Sequence, residues 1–374
     1  MYRLEEFLLI NKNIAITSNE AWGDIWYSKH NYAYELSRRN KVVFINPQGK
    51  WKISYLLGCK ITTFKYNENL MVLNYNNVLP IRSKLLYQIN NYLVSSKLRK
   101  YFRQHNFSDF ILWAFDPNRL SNPKLLGATR SFFHSVDLYS FKLYGEFELA
   151  QKSDAIFSIA NELIKYYKEF KTPIVLIPHG ISSDEFSVEK QAIPEDLTFE
   201  NYGLYVGNID KRVDFKLVEE ILKEFPETTF LFIGNLNPRE MDDAATRIFI
   251  EKRYPNLYHK NAIHFKKLKA YVSKAKFCLA PMEHTMYHNT ISHHKLLQYL
   301  AFGKPIFASK FLEYQNESDL LYMTNDYNET INNIRRFVAE GESDEIVNKR
   351  IQYARRFTFQ EIFKRVEKFM NKKD

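Results

Sequence analysis

The chain has 374 residues, with 53 Lys and Arg against 43 Asp and Glu and a formal net charge of +10 at pH 7. That length exceeds one ordinary hydrophobic core and suits two domains, and a hydrophobic content of 45% with 11 Gly and 12 Pro excludes a disordered or fibrous chain. Two Cys exclude a disulfide framework and a zinc site, while the positive balance with 25 Tyr and 30 Phe favours a polyanion as partner: nucleic acid, an anionic membrane surface or nucleotide phosphate.

Near the N-terminus, Glu5 and Glu6 interrupt the apolar Phe7-Leu8-Leu9-Ile10, and no apolar run approaches the ~18 residues of a membrane span. A cytoplasmic protein is therefore expected. Strand-like runs follow near residues 13–17, 41–46, 70–75, 110–115, 130–135, 155–160 and 174–178, with helical periodicity at 26–38, 82–104, 141–152 and 162–169. The turn after the first run holds Trp22 and Gly23, an aromatic that can stack on a flat ligand face or pack in the core, followed by a small residue. The helix around 81–107 sets Leu85, Leu86, Ile89, Leu93 and Phe102 against Arg82, Lys84, Lys97, Arg99, Lys100 and Arg103, and Lys50-Trp51-Lys52 precedes another apolar stretch. This pattern fits a core-facing helix with a solvated basic side, and it also fits contact with anionic lipid.

The fifth strand-like run ends in His134-Ser135-Val136-Asp137, and a polar stretch over 182–201 is the best linker. Beyond it the alternation resumes, with strands near 203–207, 229–233, 263–265, 277–281, 305–308 and 321–324 and helices near 215–225, 239–253, 268–274, 293–302 and 328–339. The tail, 343–370, reads as one or two helices with basic faces. The predicted fold class is α/β: two tandem doubly wound, Rossmann-like domains facing a central cleft, with C-terminal helices. The predicted division is 1–181, a linker at 182–201, a second domain at 202–342, and helices at 343–374 packing back on the first domain.

Three features point to chemistry. Gly207 ends a buried run where backbone can approach a ligand, and Asn208, Lys211 and Arg212 follow in its turn. Ser292-His293-His294-Lys295 opens a helix whose apolar face is Leu296, Leu297 and Leu300 and which Gly303 stops; its first-turn amides, dipole and cations suit a diphosphate. Asp137 or His134, at a strand's C-terminal end, can act as a general base or hydrogen-bond a ligand.

The stretch Lys295-Leu296-Leu297-Gln298-Tyr299-Leu300-Ala301-Phe302-Gly303-Lys304-Pro305 resembles the K-L-x-E-Y-L-A-x-G-K-P element of nucleotide-sugar glycosyltransferases with the GT-B fold. Val206-Gly207, Ile233-Gly234, Asn261 to Phe265 and Ile177-Pro178-His179-Gly180-Ile181 resemble further elements of the same family, of the bacterial polysaccharide or teichuronic-acid type in groups 1 and 4. The resemblance implies a hexosyl or related transferase acting on a glycan or lipid-linked acceptor in surface polysaccharide synthesis. It needs no metal and no cofactor. A nucleotide-sugar is co-substrate, with a UDP-sugar first among the candidates.

The resemblance also assigns roles by position. Gly207, Asn208, Lys211, Arg212, Phe265, Lys266, Ser292, His293, His294, Lys295 and Gln298 hold the donor. His179 and Gly180 face the interdomain cleft, Asp137 and His134 serve catalysis, and Trp22 and Gly23 lie on the acceptor side. Peripheral contact with an anionic membrane is a further expectation; nucleic acid is not. Three departures are visible: Gln298 stands where the family has a ribose-binding Glu, Thr290 where it often has a second acid, and Lys266 or Lys267 where Gly is common. They leave open a catalytically degenerate binding or scaffold protein, the charge and aromatic content leave a basic nucleic-acid-binding protein as the lesser alternative, and the stereochemistry of transfer stays open as well.

Overall fold

A computed structural model describes residues 9–139, 144–186, 194, 197–285, 294–317 and 319–371, with Phe265 and Lys266 described by backbone alone. Contacts divide the chain into two compact units: Met1–Gly180 with Phe359–Asp374, and Ile181–Thr358.

Unit 1 is built on eight strands: β1 (Asn13–Thr17), β2 (Lys41–Ile45), β3 (Ile61–Lys65), β4 (Leu70–Tyr75), β5 (Phe110–Ala114), β6 (Arg130–Ser135), β7 (Ala155–Ser158) and β8 (Ile174–Leu176), in the order β3-β4-β2-β1-β5-β6-β7-β8. All pairs are parallel except β3 with β4. The inner strands read as unbroken apolar runs, such as Phe110-Ile111-Leu112-Trp113-Ala114, because helices cover both faces of a parallel sheet. The helices are α1 (Ser28–Ser37), α2 (Lys84–Gln104), α3 (Pro123–Leu126), α4 (Glu146–Lys152) and α5 (Asn161–Ile164). The antiparallel edge strand β3 was not foreseen; four of its five residues are exposed, so it lacks the apolar signal that marks the others.

Unit 2 has six parallel strands: β9 (Gly203–Val206), β10 (Phe230–Ile233), β11 (Leu257–Lys260), β12 (Phe277–Ala280), β13 (Ile306–Ala308) and β14 (Tyr322–Met323), in the order β11-β10-β9-β12-β13-β14. Its helices are α6 (Phe215–Glu224), α7 (Asp243–Ala245), α8 (Phe265–Lys274), α9 (His294–Ala301), α10 (Tyr327–Glu340) and α11 (Asp344–Arg355). The strand expected at 263–265 lies earlier, as β11, and Phe265 instead begins α8. The helix expected at 239–253 is broken into a 3-10 turn, α7 and a π-helical segment at Thr246–Ile250.

The last helix, α12 (Phe359–Asn371), belongs to unit 1. Phe359 packs edge-on against Tyr32 of α1, ring centroids 5.0 Å apart, and Ile362, Val366 and Met370 bury the same face. Gly180 is required by this contact, since a Cβ there would sit 2.7 Å from the Phe359 ring. Cys59 and Cys278 are both buried thiols, and burial pushes both pKa values up.

Candidate nucleotide and acceptor sites

In doubly wound sheets, ligands collect at the carboxyl ends of the two strands where the order reverses. In unit 2 these are β9 and β12. Their following loops are zipped together: Asp214 N–H donates to the Pro281 carbonyl at 2.9 Å, and Glu283 N–H to that of Arg212 at 2.9 Å. Gly207 follows β9 with φ +146°, a conformation L side chains rarely adopt. Its carbonyl lies against Gly234 at the end of β10, where any Cβ would stand 1.7 Å from that oxygen. The two Gly residues thus let the ends of adjacent strands close on each other.

Helix α9 is anchored over this junction. Leu296, Leu297 and Leu300 are buried, and the Tyr299 hydroxyl accepts the Val206 N–H at 2.8 Å. Gly303, at φ +65°, ends the helix, with Gly303 and Lys304 N–H groups capping the carbonyls of Leu300 and Tyr299. This anchoring hangs half-buried Lys295 over the Tyr205 ring, Nζ 4.5 Å from its centroid and 3.4 Å from Met282 Sδ. Its ammonium would also lie 3.4 Å from a Cβ at Gly207. Burial, and then repulsion from Arg212, lower the Lys295 pKa to about 7, with Asp210 opposing.

Arg212 is committed to Asp210, with Nε–Oδ1 at 2.8 Å and Nη2–Oδ2 at 2.6 Å. Burial tends to raise the Asp210 pKa, but these hydrogen bonds outweigh it and the net shift is downward. Lys211 is exposed and pairs with Glu240 at 3.4 Å. Asn208 offers its carbonyl to the Tyr205 hydroxyl at 2.9 Å. Gln298 is buried one turn after Lys295. His294 is half-buried at the start of α9, whereas Ser292, His293 and Thr290 lie outside the described residues. Phe265 and Lys266 fall in the first turn of α8, not in a strand, so the strand geometry expected for a base contact is not what carries them.

In unit 1 the reversal falls between β1 and β5. Arg119, 3% exposed, is the hub there: Nε bonds Asp116, Nη1 donates to the Tyr75 hydroxyl at 2.9 Å, and Nη2 donates to the carbonyls of Ser18 at 2.6 Å and Ile45 at 2.9 Å. Burial works against its charge, yet Tyr75 and Asp116 more than offset that and the pKa is raised. A cavity of about 410 Å³ opens beside it, lined by Asn19, Gln48, Asp116, Asn118, Tyr87 and Tyr144 among others. Asp137, half-buried, Asp116 and Glu20 all bear on Tyr139, whose hydroxyl pKa is raised first by burial and then by these carboxylates. Its buried oxygen has no hydrogen-bond partner among the described residues. None of Asp116, Arg119 and Tyr139 was singled out from sequence.

His134 does not face a ligand. Fully buried, it accepts the Trp113 indole N–H on Nδ1 at 3.1 Å and bonds the Ile177 carbonyl through Nε2 at 3.0 Å. Phe115 stacks on it at 4.8 Å. Burial lowers its pKa to about 3, and likewise that of His30 to about 4. Both are neutral in the folded protein at pH 7 and gain protons when it unfolds below the ordinary value of 6.5. Stability should therefore fall as pH drops from 6.5 toward 4, with up to two protons taken up on unfolding. Denaturation at stepped pH tests this, and His134→Gln should flatten the slope.

Trp22 is also a packing residue, its ring set against Trp26, Phe44, Tyr66 and His30 at centroid distances of 5.0, 4.9, 4.8 and 5.5 Å. Gly23 is exposed, and a Cβ there would meet nothing within 4 Å. His179 is buried at the end of unit 1. Among the described residues no group of three or more His, Cys, Asp or Glu has a metal-binding arrangement.

These two sheets define a class: the chain has the two-domain GT-B fold, with Rossmann-like units. It is similar over 97% of its length to sucrose-phosphate synthase from Thermosynechococcus elongatus, at a TM-score of 0.66 and 14% identity with 99% of that chain covered. The E. coli trehalose-6-phosphate structure bound with UDP-2-fluoro glucose aligns at a TM-score of 0.67 and 13% identity, covering 94% of this chain and 97% of that one. The lipopolysaccharide outer core galactosyltransferase WaaB aligns at 0.58 and 13%, covering 97% and 100%. In sequence, the chain is 24% identical over 168 residues to TuaH of Bacillus subtilis (strain 168), provisionally named a teichuronic acid biosynthesis glycosyltransferase. That match covers 43% of this chain and spans 41% of the relative's length. No family model matches the chain.

Proposed function

We propose that the protein is a glycosyltransferase that moves a sugar, hexosyl or related, from a nucleotide-sugar to a hydroxyl of a glycan or lipid-linked acceptor in surface polysaccharide synthesis. The observation that carries this reading is Lys295, held half-buried over Gly207 at the reversal point of the unit 2 sheet with a pKa of about 7. An amine so placed gains a full charge when an anion arrives, which suits a diphosphate leaving group. The α9 backbone supplies a helix N-terminal turn in the same place. In unit 1, three amides, the Asp116 carboxylate and two Tyr rings line a cavity large enough for a sugar ring, and this lining suits neutral hydroxyls.

In the step proposed, an acceptor oxygen bonds to the anomeric carbon as the bond from that carbon to the diphosphate oxygen breaks. Asp137 takes the hydroxyl proton if the transfer inverts. Lys295 and the α9 amides offset the charge left on the diphosphate. A UDP-sugar is the first donor to try.

Thermal unfolding with UDP, GDP, CDP and CMP tests the reading. One nucleotide at a hundred times its Kd should raise Tm by about 5–10 °C. No shift with any of them would sink it. A second reading, a binding protein that has lost turnover, is favoured by the uncharged Gln298 at the ribose-binding position of α9. It predicts the same shift but no release of nucleotide from any nucleotide-sugar.

A further inference from the structure

Residues 47–108 hold ten Lys and Arg and one acid, Glu68, and so carry nine of the chain's ten net positive charges. The same segment exposes large apolar side chains. Ile53 is 76% exposed, Leu56 53% and Leu57 91% on the 3-10 turn Ile53–Leu57, and Leu85, Ile89, Tyr92 and Leu93 are exposed on α2. Their α2 spacing of four, three and one puts those four on one stripe. Farther along the helix, Lys100 and Arg103 continue its exposed side.

Helix α2 buries a mixed face, with Asn90, Asn91 and Ser95 beside Tyr87, Val94, Leu98 and Phe102. Buried Asn90 accepts the N–H groups of Val78 at 2.8 Å and Leu79 at 3.0 Å and donates to Asn77 at 2.9 Å. The 76–79 segment in turn holds the 51–60 loop, through Trp51 Nε1 to the Val78 carbonyl at 3.1 Å and Lys60 N–H to Asn76 Oδ1 at 2.8 Å. Edge strand β3 reaches α2 through Thr63 and Tyr101 at 3.4 Å. The turn, the helix and the edge strand are thus one region of unit 1, in which Lys50, Lys52, Lys60, Lys84 and Lys97 are exposed along with the apolar side chains.

We infer that this region is a docking surface for an anionic lipid bilayer, with Ile53, Leu56, Leu57, Leu85 and Ile89 entering the headgroup boundary and the lysines pairing with lipid phosphate. Apolar side chains beside basic ones are what interfacial binding requires, and each component adds to the other. The concentration of charge also argues against a second copy of this chain as the occupant, because two such faces repel. Among the described residues no helix is long and apolar enough to cross a membrane, so contact by this region would be peripheral. The inference is independent of the donor site.

Co-sedimentation of the full chain with vesicles tests it. Binding is expected to phosphatidylglycerol-containing vesicles and to weaken at least about tenfold on neutral phosphatidylcholine or in high salt. Leu56→Glu with Leu57→Glu, both at exposed positions, should cost about tenfold or more on anionic vesicles while leaving the Tm unchanged. Ile250→Glu, an exposed apolar residue of unit 2, should change nothing. Equal binding to neutral vesicles, no binding to anionic ones, or full binding by the double variant would each overturn the inference. So would self-association that the double variant abolishes in the absence of any vesicle binding.

Discussion

Lys295→Ala is expected to weaken nucleoside-diphosphate binding about 10- to 100-fold, the worth of one charge-assisted hydrogen bond in a partly dehydrated site. The pH dependence identifies the cause. With a pKa of about 7 in the free protein, Lys295 is charged below that pH and neutral above it. Affinity should therefore fall as pH rises from 6 toward 9, and at pH 8 binding should draw a proton from solution. Titration calorimetry in buffers of different ionisation enthalpy reads that proton directly. A wild-type affinity that is flat across this range, or a variant that keeps its affinity, would remove Lys295 from the site.

The same residue should cost stability when no ligand is bound. Its pKa is about 7 in the folded protein against 10.5 for an ordinary lysine, so below pH 7 the folded protein bears the full cost of a buried charge. That cost is relieved as pH rises from 7 toward 10.5. Lys295→Met, which keeps the side-chain length, should accordingly raise Tm below pH 7 and lose that advantage toward pH 10. Stability gained together with binding lost is the mark of a residue retained for function.

The unit 2 elements that carry the candidate site were legible in sequence because they are local. Gly207 and Gly234 each end an apolar run, and Lys295 sits on a helix whose leucines and terminal glycine give its register. The strands were legible for a related reason, since buried parallel strands such as Phe277-Cys278-Leu279-Ala280 are apolar throughout. Legibility failed at edges: β3 and β11 are partly or mostly exposed and read as polar, and the apolar Ile263 and Phe265 drew the expected strand away from Leu257–Lys260. His134 misled for the opposite reason. A histidine at the end of a strand has the right sequence address for catalysis, and only the tertiary positions of Trp113 and Ile177 show that both its nitrogens are spent in the core.

Arg119 shows what sequence could not reveal. Asp116-Pro117-Asn118-Arg119 reads as an ordinary solvated turn, yet Arg119 and Asp116 are 3% and 2% exposed. Its partners come from the residue after β1, from β2 and β4, and from its own loop, so no local spacing could have announced them. Arg119→Ala would leave the Asp116 carboxylate buried without its countercharge, still holding the Asn118 N–H at 2.8 Å, and would strip the Ser18 and Ile45 carbonyls of their guanidinium. A loss of about 3–5 kcal/mol is expected for breaking a buried pair this way. Arg119→Met with Asp116→Asn, which removes both charges, should recover much of that loss in chemical denaturation. If the single and double variants lose equally, the pair is not what holds the strand ends. If the double variant regains stability but lacks the transfer activity proposed above, the charged pair is needed at the cavity that Asp116 lines.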